Sequence, residues 1–127
     1  MKKIILALLV LSLFVEFILS ILGILFTELA LTIFGVDTNN QTLFLAVIIG
    51  WLCLFVSMII GLCIYYLIKN RFVVFDLLYC LGIFWILLGL HVYFQFNRID
   101  NLFLDSVKGF TLIILTYFYQ KKLNNEN

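Results

Sequence analysis

Five polar side chains stand inside otherwise apolar stretches of this sequence: Glu16, His91, Gln95, Asp105 and Lys108. Carboxylate, imidazole and ammonium groups in apolar surroundings bind ions, relay protons or hold polar ligands. Asp105 and Lys108 stand three residues apart, a spacing that allows an ion pair on one face of a helix. The five residues therefore indicate either a ligand, ion or proton site, or polar contacts that only lock helices together. Both interpretations stay open at the level of sequence.

The position of Glu16 requires a particular environment. Glu16 lies near the midpoint of an apolar run, where a charge in the bilayer costs about 2.5–3.5 kcal/mol. We expect its side chain to face the inside of a helix bundle, either paired or protonated. Lys108 is the predicted partner, because its long side chain can reach inward from another helix. We expect Asp105, His91 and Gln95 to lie with this pair in one polar space, which opens toward the outer side of the membrane.

The composition excludes several classes of protein. The chain has 127 residues, of which 65% are hydrophobic and 12% charged, and its mean hydropathy is +1.22. Soluble domains are about 45–50% apolar and about 25% charged, so this chain carries more apolar surface than a small soluble fold can bury. The same numbers exclude a disordered segment and a nucleic-acid binder. We expect an integral membrane protein whose partners are membrane lipid and either another protein or a second copy of the chain.

The apolar runs are long enough to cross a membrane. About 20 helical residues span a hydrocarbon core of about 30 Å. Continuous apolar runs exclude the alternation of a barrel, so we predict an all-α, polytopic four-helix bundle that forms a single transmembrane domain over residues 1–127. The start resembles a secretion signal, but its length and Glu16 predict that it is retained. The predicted helices cover about residues 4–26, 43–68, 72–96 and 102–119.

The distribution of basic residues predicts the orientation. Three basic pairs flank the predicted helices, whereas the other two loops hold only Arg98, beside Asp100. Loops rich in Lys and Arg stay on the cytoplasmic side. Both termini and the middle turn are therefore predicted to be cytoplasmic. The three pairs are Lys2 with Lys3, Lys69 with Arg71, and Lys121 with Lys122.

The segments outside the predicted helices are short. The longest loop, at about residues 27–42, begins with a mixed apolar and polar stretch that predicts an amphipathic segment at the outer interface. The polar tail over residues 123–127 is expected to fray.

Small residues and cysteines are predicted to serve packing. Helices in lipid associate through close contact of small residues, so the glycines and serines of each run should mark its contact face. No two cysteines form a C-x-x-C pair, and no set of metal-ligating residues is evident, so neither a metal nor another cofactor is predicted from the residues. The residues concerned are Ser12, Ser20, Gly23, Gly50, Ser57, Gly61, Gly82 and Gly109, and the cysteines Cys53, Cys63 and Cys80.

Three stretches resemble the small four-helix DoxX-like membrane proteins of bacteria: LGILFTELALTIFGVD, IIGWLCLFVSMIIGLCIYYLIKNR and LFLDSVKGFTLIILTYF. They resemble, in turn, that group's first helix end with its short amphipathic segment, its glycine-bearing second helix, and its fourth helix. The resemblance places Asp105 at an acidic position near the start of that fourth helix. The resemblance implies a multi-pass protein of the bacterial inner membrane. Quinone is the only cofactor that the resemblance implies.

Three functions follow as hypotheses. The first is a non-catalytic protein that binds a lipid, a hydrophobic small molecule or a partner protein through the inward polar residues. The second is a membrane subunit of a quinone-linked redox complex. The third is a small proton-coupled transporter that uses Glu16, as the four-helix multidrug exporters use a Glu of their first helix. The lack of proline and the longer outer loop separate this chain from those exporters.

Overall fold

The computed structural model describes residues 1–97 and 99–126. Every regular element in this part of the chain is helical. Arg98, predicted to be the only basic residue of the two outer loops, lies outside the described residues. The elements are α1 (Lys2–Leu25), α2 (Thr27–Ile33), α3 (Asn40–Ile68), α4 (Val73–Phe96), the single turn α5 (Ile99–Asn101), a π-helical turn (Leu102–Ser106) and α6 (Val107–Glu126).

Four of the described helical segments are long and apolar enough to cross a membrane. They comprise Lys2–Leu25, Asn40–Ile68, Val73–Gln95 and Leu102–Asn125. The predicted all-α class and the predicted number of long apolar helices are confirmed. The second predicted range ends at the observed residue, Ile68, and the other ends of the first three ranges differ from these bounds by no more than a few residues.

The start of α3 lies three residues before its predicted start, because Asn39 caps the helix. The Asn39 side-chain oxygen accepts hydrogen bonds from the backbone N–H groups of Gln41 and Thr42, at 2.9 and 3.0 Å. The Thr42 hydroxyl oxygen in return accepts from the Asn39 N–H at 2.9 Å. This reciprocal arrangement satisfies N–H groups that a helix start otherwise leaves without partners.

The last long helix continues past its predicted end, at about residue 119, and reaches Glu126. The prediction that the tail frays is therefore wrong for residues 123–126. This helix begins with the π-helical turn over Leu102–Ser106 and runs on as α6 to Glu126. Lysine and glutamine after Tyr119 are good helix formers. Leu123, in this last stretch of α6, is half-buried and lines a small cavity together with Leu67 at the end of α3.

The chain forms two compact units. The N-terminal helical unit contains residues 9–64, and the C-terminal helical unit contains residues 1–8 together with residues 65–127. In the N-terminal helical unit, α1 and α3 touch at Gly23 and Gly50. A Cβ atom added to Gly23 would lie 2.8 Å from the Cα atom of Gly50, so the two backbones are in direct contact. The predicted packing role of Gly23 and Gly50 is confirmed, whereas that of Gly61 is wrong, because a Cβ atom added there would have no contact within 4 Å.

A second glycine contact joins α4 to α6 in the C-terminal helical unit. A Cβ atom added to Gly82 would lie 3.1 Å from the Gly109 carbonyl oxygen, and one added to Gly109 would meet the Gly82 carbonyl oxygen. One side-chain hydrogen bond lies before this contact, from the π-helical turn, and one lies after it, on α6. Ser106 donates to the Ile86 carbonyl oxygen at 3.2 Å, and Tyr79 donates to Gln120 at 3.1 Å.

The short helix α2 belongs to the N-terminal helical unit and buries one of its faces. Ala30 and Leu31 are 5% and 7% exposed, whereas Glu28 and Leu29 on the other face are exposed. The first part of the longest predicted loop is therefore helical, and its amphipathic character at the outer interface stays a prediction. Gly35, in the left-handed region at a φ of 66°, closes the helix after Ile33. A residue with a Cβ would be strained in that conformation.

Candidate functional site

Glu16 lies in the middle of α1, and its carboxylate contacts the thiol of Cys53 on α3. The two side chains are half-buried and close enough to interact electrostatically. Ser12 and Ser20, one helical turn before and after Glu16, are 3% and 1% exposed. The carboxylate therefore lies on the stripe of α1 that faces the inside of the N-terminal helical unit, as the spacing predicts.

An apolar cavity of about 280 Å³ adjoins this pair. Cys53 is part of its lining, so the thiol connects the cavity to the Glu16 carboxylate. The volume lies just below the range of about 300–1,000 Å³ found for small-molecule sites, and a mostly apolar wall with few polar groups is typical of them. The lining comes from α1, α2, α3 and the loop after α2: Leu19, Gly23, Ala30, Leu31, Phe34, Val36, Ala46, Ile49, Gly50 and Cys53.

The local sequence explains why a cavity forms here. Gly23 and Gly50 bring the backbones of α1 and α3 together, and neither contributes a side chain that would fill space beside the contact. Ala46 adds only a methyl group to the wall. The buried face of α2 covers the opening between the two helices with Ala30 and Leu31. Small residues at a helix crossing therefore produce both the close approach and the empty volume next to it.

A second polar group lies in the C-terminal helical unit, where the π-helical turn meets α6. The Lys108 ammonium is 3.2 Å from the Asp105 carboxylate, and both side chains are largely buried, at 18% and 16% exposure. The same ammonium lies 4.0 Å from the centre of the Trp85 ring on α4. The predicted Asp105–Lys108 ion pair is confirmed, and a cation–π contact accompanies it.

Sequence reasoning missed the role of Trp85. It predicts only that this side chain fills the bundle or faces lipid, whereas the ring is fully buried beneath an ammonium. The Trp85 indole N–H has no hydrogen-bond partner within residues 1–97 and 99–126, so its stabilisation comes from packing and from the cation above it. Trp85 and Lys108 lie on different helices, and no sequence spacing indicates such a contact.

The remaining candidates, His91 and Gln95, lie in the last two turns of α4. Both side chains are exposed. The structure brings Asp105 and Lys108 together within one unit, and it brings Glu16 to Cys53 within the other. The proposed Glu16–Lys108 pair and the common polar space of all five residues stay predictions.

The cysteines and the acidic residues form no metal site in the described part of the chain. No group of three or more His, Cys, Asp or Glu side chains among these residues could hold a metal ion. Cys63 is buried, Cys80 is exposed, and half-buried Cys53 adjoins the Glu16 carboxylate.

No protein-family model, curated protein or solved structure matches this chain. Its function is therefore inferred from the cavity and the side chains around it.

Proposed function

We propose that this protein is a small multi-pass protein of the bacterial cytoplasmic membrane that binds a hydrophobic ligand without transforming it. The observation that carries the proposal is the apolar cavity between α1, α2 and α3, whose wall reaches the mid-helix carboxylate of Glu16 through Cys53. Such a cavity accommodates an acyl chain or an apolar ring. The carboxylate provides one hydrogen-bond acceptor at the depth where a polar group of the ligand would otherwise be unpaired.

The membrane part of the proposal rests on the four long apolar helices. These helices expose many large apolar side chains, of which Phe14, Phe55 and Phe94 are 63%, 61% and 78% exposed. In water such a surface would cause aggregation, whereas acyl chains cover it at no cost. The resemblance of three stretches to the DoxX-like proteins supports the bacterial inner membrane as the location.

The orientation with both termini in the cytoplasm is part of the same proposal. The Lys2 ammonium donates a hydrogen bond to the Asn70 side chain at 2.6 Å, so the start of α1 and the turn before α4 lie at one end of the C-terminal helical unit. Two of the three basic pairs of the chain therefore share an end. That arrangement supports a common cytoplasmic side under the rule that basic loops stay inside.

The binding proposal is tested by filling the cavity. Ala46→Leu adds three carbon atoms to the cavity wall, and Ala7→Leu makes the same change at an exposed position of α1 outside it. Each variant is purified in mild detergent, and the retained lipids and small molecules are identified by mass spectrometry. We expect the unaltered protein and Ala7→Leu to retain the same ligand, and Ala46→Leu to lose most of it, because the ligand's volume is occupied.

Equal retention of the ligand by all three proteins would contradict this proposal. So would the finding that each protein retains only bulk lipid. Thermal unfolding of each variant in the same detergent checks that Ala46→Leu stays folded. A retained quinone that disappears in Ala46→Leu would favour the redox-subunit alternative, since the cavity would then hold the electron carrier.

A further inference from the structure

A second cavity lies in the C-terminal helical unit, where α3 ends and α4 begins, and it is independent of the proposed ligand cavity. Its volume is about 220 Å³. The floor is apolar and buried, because Leu67, Val74 and Phe75 are only 1%, 2% and 4% exposed. Tyr119 of α6 closes one side, with its ring centre 5.8 Å from that of Phe75.

The rim of this cavity is polar and presents hydrogen-bond donors. Asn70 and Arg71, both exposed, belong to its lining. The Asn70 side-chain oxygen accepts a hydrogen bond from the Lys2 ammonium at 2.6 Å, so the amide NH₂ group is the part of that side chain left to donate. The Arg71 guanidinium carries five N–H donors in a planar arrangement that matches the oxygens of a phosphate.

The charge around this rim has one dominant sign. The C-terminal helical unit contains all three basic pairs, and one of them, Lys121 with Lys122, lies between the two α6 residues that line the cavity. Asp76, in the first turn of α4, is an exposed carboxylate near this end. Basic cavities at the cytoplasmic ends of membrane helices are suited to anionic lipid head groups.

We propose that this cavity binds one anionic phospholipid. Its phosphate would be held by Arg71 and the Asn70 amide, and the first part of an acyl chain would cover the exposed Phe72 and the half-buried Leu123. The combination of a cationic rim and the exposed apolar ring of Phe72 at the edge of the cavity favours a phospholipid over a free anion, because an acyl chain would cover that ring and a free phosphate would not. Phe72, which is 62% exposed at the edge of the cavity, lies where the chain would continue into the bilayer.

The test compares two neighbouring charges of the same turn. Arg71→Gln removes a cation that lines the cavity, and Lys69→Gln removes an exposed cation that does not. The full-length proteins are incorporated into bilayer discs that contain equal amounts of phosphatidylglycerol and phosphatidylcholine, and bound lipid is counted by native mass spectrometry. We expect the preference for phosphatidylglycerol to fall about tenfold in Arg71→Gln, as for loss of a charge-assisted hydrogen bond, and to fall by less than about twofold in Lys69→Gln.

A second variant keeps the test valid if Arg71→Gln is poorly folded. Asn70→Asp preserves the acceptor for Lys2 but puts a negative charge on the rim, so we expect it to lose the preference for phosphatidylglycerol as well. Equal losses in Arg71→Gln and Lys69→Gln would overturn the proposal, since they would reflect general surface charge. Displacement of the lipid by inorganic phosphate alone would also overturn it, because the site would then be one for free anions. Ala46→Leu changes the N-terminal helical unit, so the test of the ligand cavity can fail without affecting this test of the phospholipid site.

Discussion

At the scale of single residues, the group around Lys108 shows how a charge is accommodated among apolar helices. The ammonium has a carboxylate 3.2 Å away and an aromatic ring centre 4.0 Å away, so both contacts compensate for lost hydration. A cation over a desolvated indole contributes about 2 kcal/mol or more. Trp85 is fully buried, so its ring offers Lys108 a face that water does not reach.

The contact between Lys108 and Trp85 predicts a fluorescence change. The protein has two tryptophans, and Trp51 is 58% exposed, so Trp51→Phe leaves Trp85 as the single reporter at little structural cost. In that background Lys108→Gln removes the cation above the ring, and we expect both the emission maximum and the intensity of Trp85 to change. Lys121→Gln, which removes an exposed cation of the same helix, serves as the control. An unchanged spectrum in Lys108→Gln would contradict the cation–π contact.

Local spacing predicts some of the site and not the rest. Asp105 and Lys108 are three residues apart. Both an α-helix and a π-helix bring residues at this spacing near each other, so their ion pair is predictable. The contacts of Glu16 with Cys53 and of Lys108 with Trp85 join different helices, and they depend on how each helix is rotated about its axis. The exposure of His91 and Gln95 depends on the same rotation. Nearly continuous apolar runs carry little information about that angle.

At the scale of elements, the helices follow from length and hydropathy, whereas their ends follow from individual side chains. The four long segments are predictable because hydrocarbon leaves no other way to satisfy the backbone. The earlier start of α3 depends on the Asn39 cap, and the π-helical turn at Leu102–Ser106 has no sequence signal that we recognise. Such turns insert one residue into a helix and change which side chains share a face.

The glycine contact between α4 and α6 predicts a difference between two alanine substitutions. In Gly109→Ala the new methyl group would meet the backbone of Gly82 and Ile86, so we expect a loss of about 1–3 kcal/mol in the free energy of unfolding. In Gly61→Ala the methyl group has no atom outside its own helix within 4 Å, so we expect a gain of about 0.5–1 kcal/mol from helix propensity.

Both substitutions are measured by denaturant titration in the same detergent micelle. The pair is matched, since each variant adds one methyl group to a glycine within a long helix. If Gly109→Ala were as stable as Gly61→Ala, the direct contact of α4 and α6 at this glycine would be wrong.

At the scale of the whole molecule, the N-terminal helical unit holds the proposed ligand cavity and the C-terminal helical unit holds the basic end. Both proposals need the same topology. The cavity is then in reach of bilayer lipid, and the basic end faces the leaflet in which anionic lipids meet cytoplasmic cations. Four crossings with both termini inside produce this arrangement, and an odd number would place the termini on opposite sides.

Four single cysteines, introduced after Cys53, Cys63 and Cys80 are replaced by alanine, test the number of crossings most directly. Thr38 and Ile99 are exposed positions in the two predicted outer segments, and Lys69 and Asn125 are exposed positions at the predicted cytoplasmic ends. Thr38 is preferable to Asn39, whose side chain caps α3. A membrane-impermeant maleimide is added to intact spheroplasts and, separately, to permeabilised ones. We predict that Thr38→Cys and Ile99→Cys react in both, and that Lys69→Cys and Asn125→Cys react only after permeabilisation. Reaction of Thr38→Cys and Asn125→Cys from the same side of intact spheroplasts would contradict the four crossings.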